Sequence, residues 1–390
     1  MTNRPPPLVP AVILGVVVSL SLSIAAQDRS APRNWVAAWA TSQQALGPTT
    51  ISNATVRMIA RVTIPGDQVR IRLDNTFGSS PVRIGRAYVG ERIQGATLAA
   101  GSKRPVLFKG AASVTIPQNG SVVSDAVTMK VAAWQDLAVS LFVPDTGVHP
   151  SQHSGAAVTS YSSENGSGDV ASNEARAPFT VTTTSTFWLK GVDVLSTASP
   201  GAIVAFGDSI TDGTCSTLDA HDRWEDWLAV RLQLDAAARG AAGAHKSVVN
   251  EGIGGNTVTR ENLQPPPDSP PGMERLDRDV LSHEGVTDVI VFMGTNDIRR
   301  GASASQVIAG LEDVVKRIKA RRLKSLGVTI IPRHNVQPSA NNSGWDNAKT
   351  GIRNEVNQWI RTKASFDTVL DFDKVVRDPA NADLIQPSFN

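Results

Sequence analysis

The 390 residues carry 41% hydrophobic and 19% charged side chains and a formal net charge of +2. That composition excludes disordered and fibrous classes, and the length points to two domains rather than one. Without a basic cluster interleaved with aromatics, the electrostatic footprint of a nucleic-acid binder is missing, so no nucleic-acid partner is expected.

Arg4 precedes an apolar run from Leu8 to Ala26, with small Ala25 and Ala26 ahead of Gln27-Asp28. This is the pattern of a signal peptide over residues 1–26, and it predicts a secreted or periplasmic protein without stable membrane association after cleavage. The single cysteine, Cys215, precludes an intramolecular disulfide and is expected to be a small packed side chain.

Residues 27–196 read as strands. Val56 and Met58, and then Val69, Ile71 and Leu73, alternate with polar residues. Further strand segments fall at 82–89, 106–108, 113–116, 121–131, 137–143, 158–162 and 179–189, separated by turn residues such as Pro65-Gly66-Asp67 and Pro117-Gln118-Asn119-Gly120. Many short strands with almost no helical period predict an all-β sandwich or jelly-roll domain. Trp35, Trp39, Trp134 and Trp188 are assigned to its core, and 162–173 to a glycine- and serine-rich loop. Gly191 to Gly201 is read as the linker between halves.

From residue 197 onward the pattern changes. Apolar strands at 202–206, 247–250, 288–293, 326–331 and 368–372 alternate with helices at 223–234, 306–321 and 345–363. The first helix carries Trp224, Trp227, Leu228 and Arg231 on one stripe, with Asp222 as its cap; Ser303 or Ser305 caps the second. Alternating strands and helices predict a doubly wound parallel sheet.

Each of the first three strands closes in a distinctive loop: Gly207-Asp208-Ser209, then Glu251-Gly252-Ile253-Gly254-Gly255-Asn256, then Gly294-Thr295-Asn296-Asp297. A doubly wound sheet brings such loops to one edge, where ligands bind. There they assemble a hydroxyl, bare backbone N–H groups and a carboxamide, the set that acyl transfer needs. Thr211 stands where a Gly-x-Ser-x-Gly elbow requires glycine, which argues against an α/β-hydrolase. Gly252 to Thr257 lacks the last glycine of a dinucleotide fingerprint, no Gly-Lys-Ser/Thr phosphate loop occurs, and the histidines show no metal-ligand spacing, so neither cofactor nor metal is expected.

These three blocks resemble the SGNH, or GDSL-type, esterases and lipases, with Ile210 in place of the leucine of the family's name. The layout, with Trp-Val-Ala-Ala-Trp opening the β region, resembles exported bacterial members. The resemblance implies a flavodoxin-like fold over 197–390, with Ser209 as nucleophile. It further implies Ser209 N–H, Gly255 N–H and the Asn296 side chain as oxyanion donors, and Asp208 and Asp297 as supporting acids. The implied partner is an ester substrate, such as an acetylated polysaccharide, a lipid or a small acyl ester. The family's base is a histidine in an Asp-x-x-His block after the last strand. His149, His153, His221, His245, His283 and His334 all precede that point, and Asp383-Leu384-Ile385-Gln386 has the spacing with glutamine in place of histidine. The chain is therefore expected to be incomplete at its C-terminus, lacking its base, and His221 and His334 to be surface or core residues. The proline-rich stretch 263–272 is either pocket rim or passive loop. The alternative function is a catalytically silent, secreted carbohydrate-binding protein.

Overall fold

Apolar alternation makes the strands of the first half. In the computed structural model, which describes residues 34–339 and 343–389, two large antiparallel sheets and two small ones form there. One large sheet is built on β1 (Asn34–Ala40), β3 (Gly66–Asp74) and β6 (Leu189–Ser196), in the order β1-β6-β3. The other is built on β2 (Ala54–Val62), β4 (Arg86–Gln94) and β5 (Gln135–Val143), in the order β2-β5-β4. β5 pairs with β2 without a register shift, from Gln135 opposite Val62 to Val143 opposite Ala54. Val56 and Met58 of β2, Val69, Ile71 and Leu73 of β3 and Leu137, Val139 and Leu141 of β5 are buried in one cluster. Period-two alternation puts each set on a single face. The other face of β2 is covered too: buried Arg57 donates to Ser140 Oγ at 2.8 Å and stacks on Phe179 at 3.7 Å.

The second half is a five-stranded, all-parallel sheet: β7 (Ala202–Gly207), β8 (Ser247–Gly252), β9 (Val286–Phe292), β10 (Lys324–Val328) and β11 (Thr368–Leu370). Its spatial order is β8-β7-β9-β10-β11. The helices are α1 (Ser209–Asp212), α2 (Trp224–Ala238), α3 (Gly272–Leu276), α4 (Thr295–Arg299), α5 (Ala304–Ala320), α6 (Asn347–Thr362) and α7 (Phe372–Val376). Ser303 caps α5 in a capping box with Gln306, and Val307, Leu311, Val314 and Ile318 form its buried face.

Several expectations are corrected. Residues 191–196 are not linker but the body of β6, paired with both β1 and β3. Buried Asp193 disguised that strand; it is neutralised by Arg70 at 2.9 Å and Arg72 at 2.8 Å. Segments 82–89 and 179–189 are each broken, and 121–131 is two strands. Asp222 does not cap α2: its carboxylate accepts from Thr217 N–H, and Arg223 holds the cap position. The buried stripe of α2 is Glu225, Ala229 and Ala236, while Trp227 is exposed. Small alanines let that helix approach β8, where Glu225 accepts a hydrogen bond from Asn250. Cys215 is exposed on the loop after α1 rather than packed. Trp188 is fully buried, as core packing requires; Trp35, Trp39 and Trp134 are half-buried.

The two halves are joined by polar contacts as well as by a shared apolar cluster. Ala37 N donates to Glu284 O at 3.0 Å, Ser247 Oγ to Ala37 O at 2.5 Å, and His245 Nε2 lies 2.9 Å from Thr63 O. The apolar segment 8–26 lies outside the described residues. Among those described, no helix is long and apolar enough to cross a membrane.

Candidate active site

The carboxyl ends of β7, β8 and β9 lie side by side, and the three loops that leave them meet. The last residue of β7 is glycine because a side chain at 207 would strike Thr211 Oγ1 at 2.1 Å and Phe292 O at 2.8 Å. Asp208 then caps α1, its carboxylate accepting Ile210 N–H at 3.0 Å. That makes Ser209 the first helical residue, half-buried, with a backbone N–H that has no intrahelical acceptor.

The loop after β8 folds into a turn in which Asn256 N donates to Ile253 O at 3.1 Å. Gly255 takes φ +72° within it, a left-handed conformation that suits glycine. Its own N–H has no acceptor among the described residues. After β9, Asn296 sits on α4 and donates from Nδ2 to Asn256 O at 3.0 Å, which fixes the carboxamide and ties the second loop to the third. Asp297 grips the same loop further on, its carboxylate accepting Val258 N–H and Thr259 N–H, each at 3.0 Å.

Ser209, Gly255 and Asn296 line one cavity of about 540 Å³. Arg299, Arg333, His334, Trp345 and Ile385 complete much of its wall. Half-buried His334 lines the cavity, carried there by the loop after β10, one of the strand-edge positions from which either it or His221 could approach the site. No hydrogen bond to the Ser209 hydroxyl forms among the described residues. His221 lies elsewhere, in a cleft with Arg61, Arg223 and Asp226. The proline-rich stretch is not among the lining residues; Arg300 Nη1 anchors it through Pro265 O at 2.7 Å and Pro266 O at 2.6 Å.

Two supports escaped the sequence reading. Buried Arg275, on α3, donates to Gly207 O, Glu251 O and Ser42 Oγ at 2.8 Å and to Asn256 Oδ1 at 3.0 Å. A single guanidinium thus braces the ends of β7 and β8 and the turn that carries Gly255. The second support comes from the β half. His153 Nε2 lies 3.0 Å from Asp212 Oδ1, and Asp212 Oδ2 accepts Gly254 N–H at 2.9 Å. Gly254 immediately precedes the glycine of interest, so a residue of the first half positions a loop of the second. Glu251 is held in the same way, by Ser42 Oγ at 2.5 Å and His283 Nε2 at 2.6 Å. The only sequence signal for Arg275 was its spacing to Asp279, one helical turn on, with which it forms a buried pair at 3.3 Å.

The two supporting acids are electrostatically unusual. Burial pushes the Asp208 carboxyl up to about 7, opposed by the Ile210 N–H and Arg333. Burial likewise raises Asp297 to about 6, against the Thr259 and Val258 N–H groups. Both take up a proton more readily in the folded chain than in the unfolded one, where an aspartate titrates near about 3.9. Their stabilising contribution is complete below that value and is lost as pH rises through about 6 to 7. Asparagine keeps the acceptor for Ile210 N–H without the charge. Asp208→Asn should therefore melt with the parent near pH 4 and above it at pH 8. Melting curves whose separation does not widen with pH would contradict this.

Residues 205–387 match the sequence pattern of the GDSL-like Lipase/Acylhydrolase family. That match, confined to 205–387, supports an SGNH-type hydrolase domain in the second half of the chain. No curated protein matches the chain. Among solved structures, the chain is similar to the SGNH-hydrolase family esterase AlinE4, at 21% identity and a TM-score of 0.32, over 48% of this chain and 82% of that one. It is also similar to a GDSL-like lipase from Bacteroides thetaiotaomicron, at 15% identity and a TM-score of 0.31, over 48% of this chain and 76% of that one. Membership of the GDSL-like domain in a hydrolase family does not favour the carbohydrate-binding alternative.

Proposed function

We propose that the chain is a serine ester hydrolase, in which the GDSL-like domain cleaves carboxylic esters through an acyl-enzyme at Ser209. One observation carries the reading: a hydroxyl, an acceptor-free glycine N–H and a fixed carboxamide line a single cavity. Ser209 Oγ bonds to the ester's carbonyl carbon, and the carbonyl π pair moves to oxygen. That oxyanion is received by the N–H groups of Ser209 and Gly255 and by the Asn296 amide hydrogen not used on Asn256 O. Collapse expels the alcohol, and water then repeats the sequence to free the acid and restore the serine. An imidazole takes the serine proton and returns it to the leaving alcohol. The resemblance assigns that role to an Asp-x-x-His block; among the described residues, His334 is the histidine on the cavity wall.

The strand order β8-β7-β9-β10-β11 supports a flavodoxin-like arrangement, and two antiparallel sheets over one apolar cluster support a β-sandwich. The end of β6 at Ser196 and the start of β7 at Ala202 support a boundary at 196/197. The apolar segment 8–26 supports export, which suits acetylated polysaccharides, lipids or small acyl esters as substrates.

The carboxamide tests the reading. Asn296→Ala is expected to lower kcat for p-nitrophenyl acetate by roughly a hundredfold or more with little change in KM, because the donor acts on charge that develops in the transition state. A folded variant with unchanged kcat would remove Asn296 from the oxyanion site.

A further inference from the structure

Ester cleavage requires a nucleophile, a base and oxyanion donors, and none of these has to be a guanidinium. Two guanidinium side chains nevertheless line the cavity with Ser209: those of Arg299 and Arg333. Arg299 ends α4 three residues after Asn296, a spacing that puts both on one side of the helix. Arg333 stands 5.8 Å from the ring centroid of Trp345. That ring is fixed, because Trp345 Nε1 donates to Thr350 Oγ1 at 3.0 Å and the Trp345 backbone exchanges hydrogen bonds of 2.7 and 2.9 Å with Val336.

Among the described residues, no carboxylate lines the cavity. Asp208 and Asp297 are buried and engaged, Asp208 with Ile210 N–H and Asp297 with the loop at 258–259. Behind the wall, Arg300 Nη2 lies 3.7 Å from where a Gly255 Cβ would stand and 3.9 Å from the exposed Asp268 carboxylate, so its charge is partly met already. Burial and the charges of Arg300 and Arg333 lower the Arg299 pKa, with Asp208 opposing, so like charges are held together against their repulsion. An anion in the cavity would relieve that repulsion, and a planar guanidinium fork suits carboxylate and phosphate oxygens.

We infer that Arg299 and Arg333 form an anion subsite, and that the ester bound at Ser209 carries a carboxylate or phosphate in its acyl or alcohol part. The inference rests on the placement of the substrate ester at Ser209. It narrows the substrate class to acidic esters, whose charge comes from a glycan or from a lipid head group.

The experiment uses the full chain carrying Ser209→Ala, which binds without turnover. Calorimetry compares monomethyl glutarate, an anion, with dimethyl glutarate, its neutral counterpart. The anion is expected to bind about tenfold more tightly or better at low salt, as charge-assisted hydrogen bonds allow. That advantage should shrink in about 1 M salt, where screening is short-ranged. Adding Arg333→Ala should abolish most of the advantage, and Arg333→Lys, which keeps the charge but not the fork, should retain part of it. Displacement of the monoester by an O-acetylated galacturonate oligomer or by short-chain phosphatidylglycerol would support the subsite and identify the source of the charge. Equal affinity for the two glutarate esters, or a preference indifferent to both salt and Arg333, would overturn it. Hydrolysis of p-nitrophenyl acetate by the unsubstituted chain is scored separately. If hydrolysis fails while the charge preference holds, the esterase reading falls and the anion subsite stands.

Discussion

Replacing Ser209 with alanine is expected to lower the hydrolysis of p-nitrophenyl acetate by on the order of a thousandfold or more, leaving only what oxyanion donors and binding supply. The change removes one half-buried oxygen that makes no hydrogen bond among the described residues. Stability should therefore move by no more than about 0.5 kcal/mol, as for substitutions away from packed features. The contrast between a large kinetic effect and a negligible thermal one separates a nucleophile from a structural serine. A fluorophosphonate probe gives the same answer without turnover: the unsubstituted chain should gain its mass on the peptide that contains Ser209, and the variant should not. Residual activity within tenfold of the parent, in a folded variant, would place the chemistry elsewhere.

The second large effect concerns Arg275. Arg275→Ala is expected to cost about 3–5 kcal/mol of folding stability, because it strips donors from several buried acceptors at once. Glu251 O and Asn256 Oδ1 lose the guanidinium outright, and Gly207 O keeps only Ile253 N–H, at 3.2 Å. Asp279 is spared, since Arg278 and Lys190 also pair with it, at 2.6 and 3.2 Å. The cost is therefore one of unsatisfied loop ends more than of a bare buried carboxylate. Arg260→Ala is the control, because its ion pair with Glu274 is about half exposed and worth roughly 0–1 kcal/mol. Denaturant titrations of the two variants should differ severalfold in their displacement from the parent. Equal, small displacements would mean that the ends of β7 and β8 and the Gly255 turn hold their shape without the guanidinium.

These two residues also mark what can be read in a sequence. The parallel strands are buried on both faces and so appear as unbroken apolar runs, and each ends in a loop of recognisable chemistry. The loops that carry Ser209, Gly255 and Asn296 could be gathered from that alone, since parallel strands of a βα alternation end at one edge; the roles proposed for the three come from the family resemblance. Arg275 could not, because its five acceptors are dispersed along the chain from Ser42 to Asp279 and meet only after folding. His334 and Arg333 lie on a loop without periodicity, so nothing local reveals which way they face. β6 was hidden for a different reason. Gly191 and Asp193 read as turn residues until Arg70 and Arg72, some 120 positions earlier, neutralise the aspartate. Asp222 and the stripe on α2 were misread because local propensity was given weight that tertiary packing overrode.

The β half holds the loop that carries Gly255 through Ser42 and His153, and this has a consequence for anyone who would shorten the gene. A polypeptide cut at residue 197 would retain every block that resembles an esterase, yet Asp212 and Glu251 would be left facing water where His153 and Ser42 now stand. Grafting this α/β half onto another scaffold, or trimming the chain to it, would require those two side chains to be rebuilt. The portable unit for an engineer begins before Ser42.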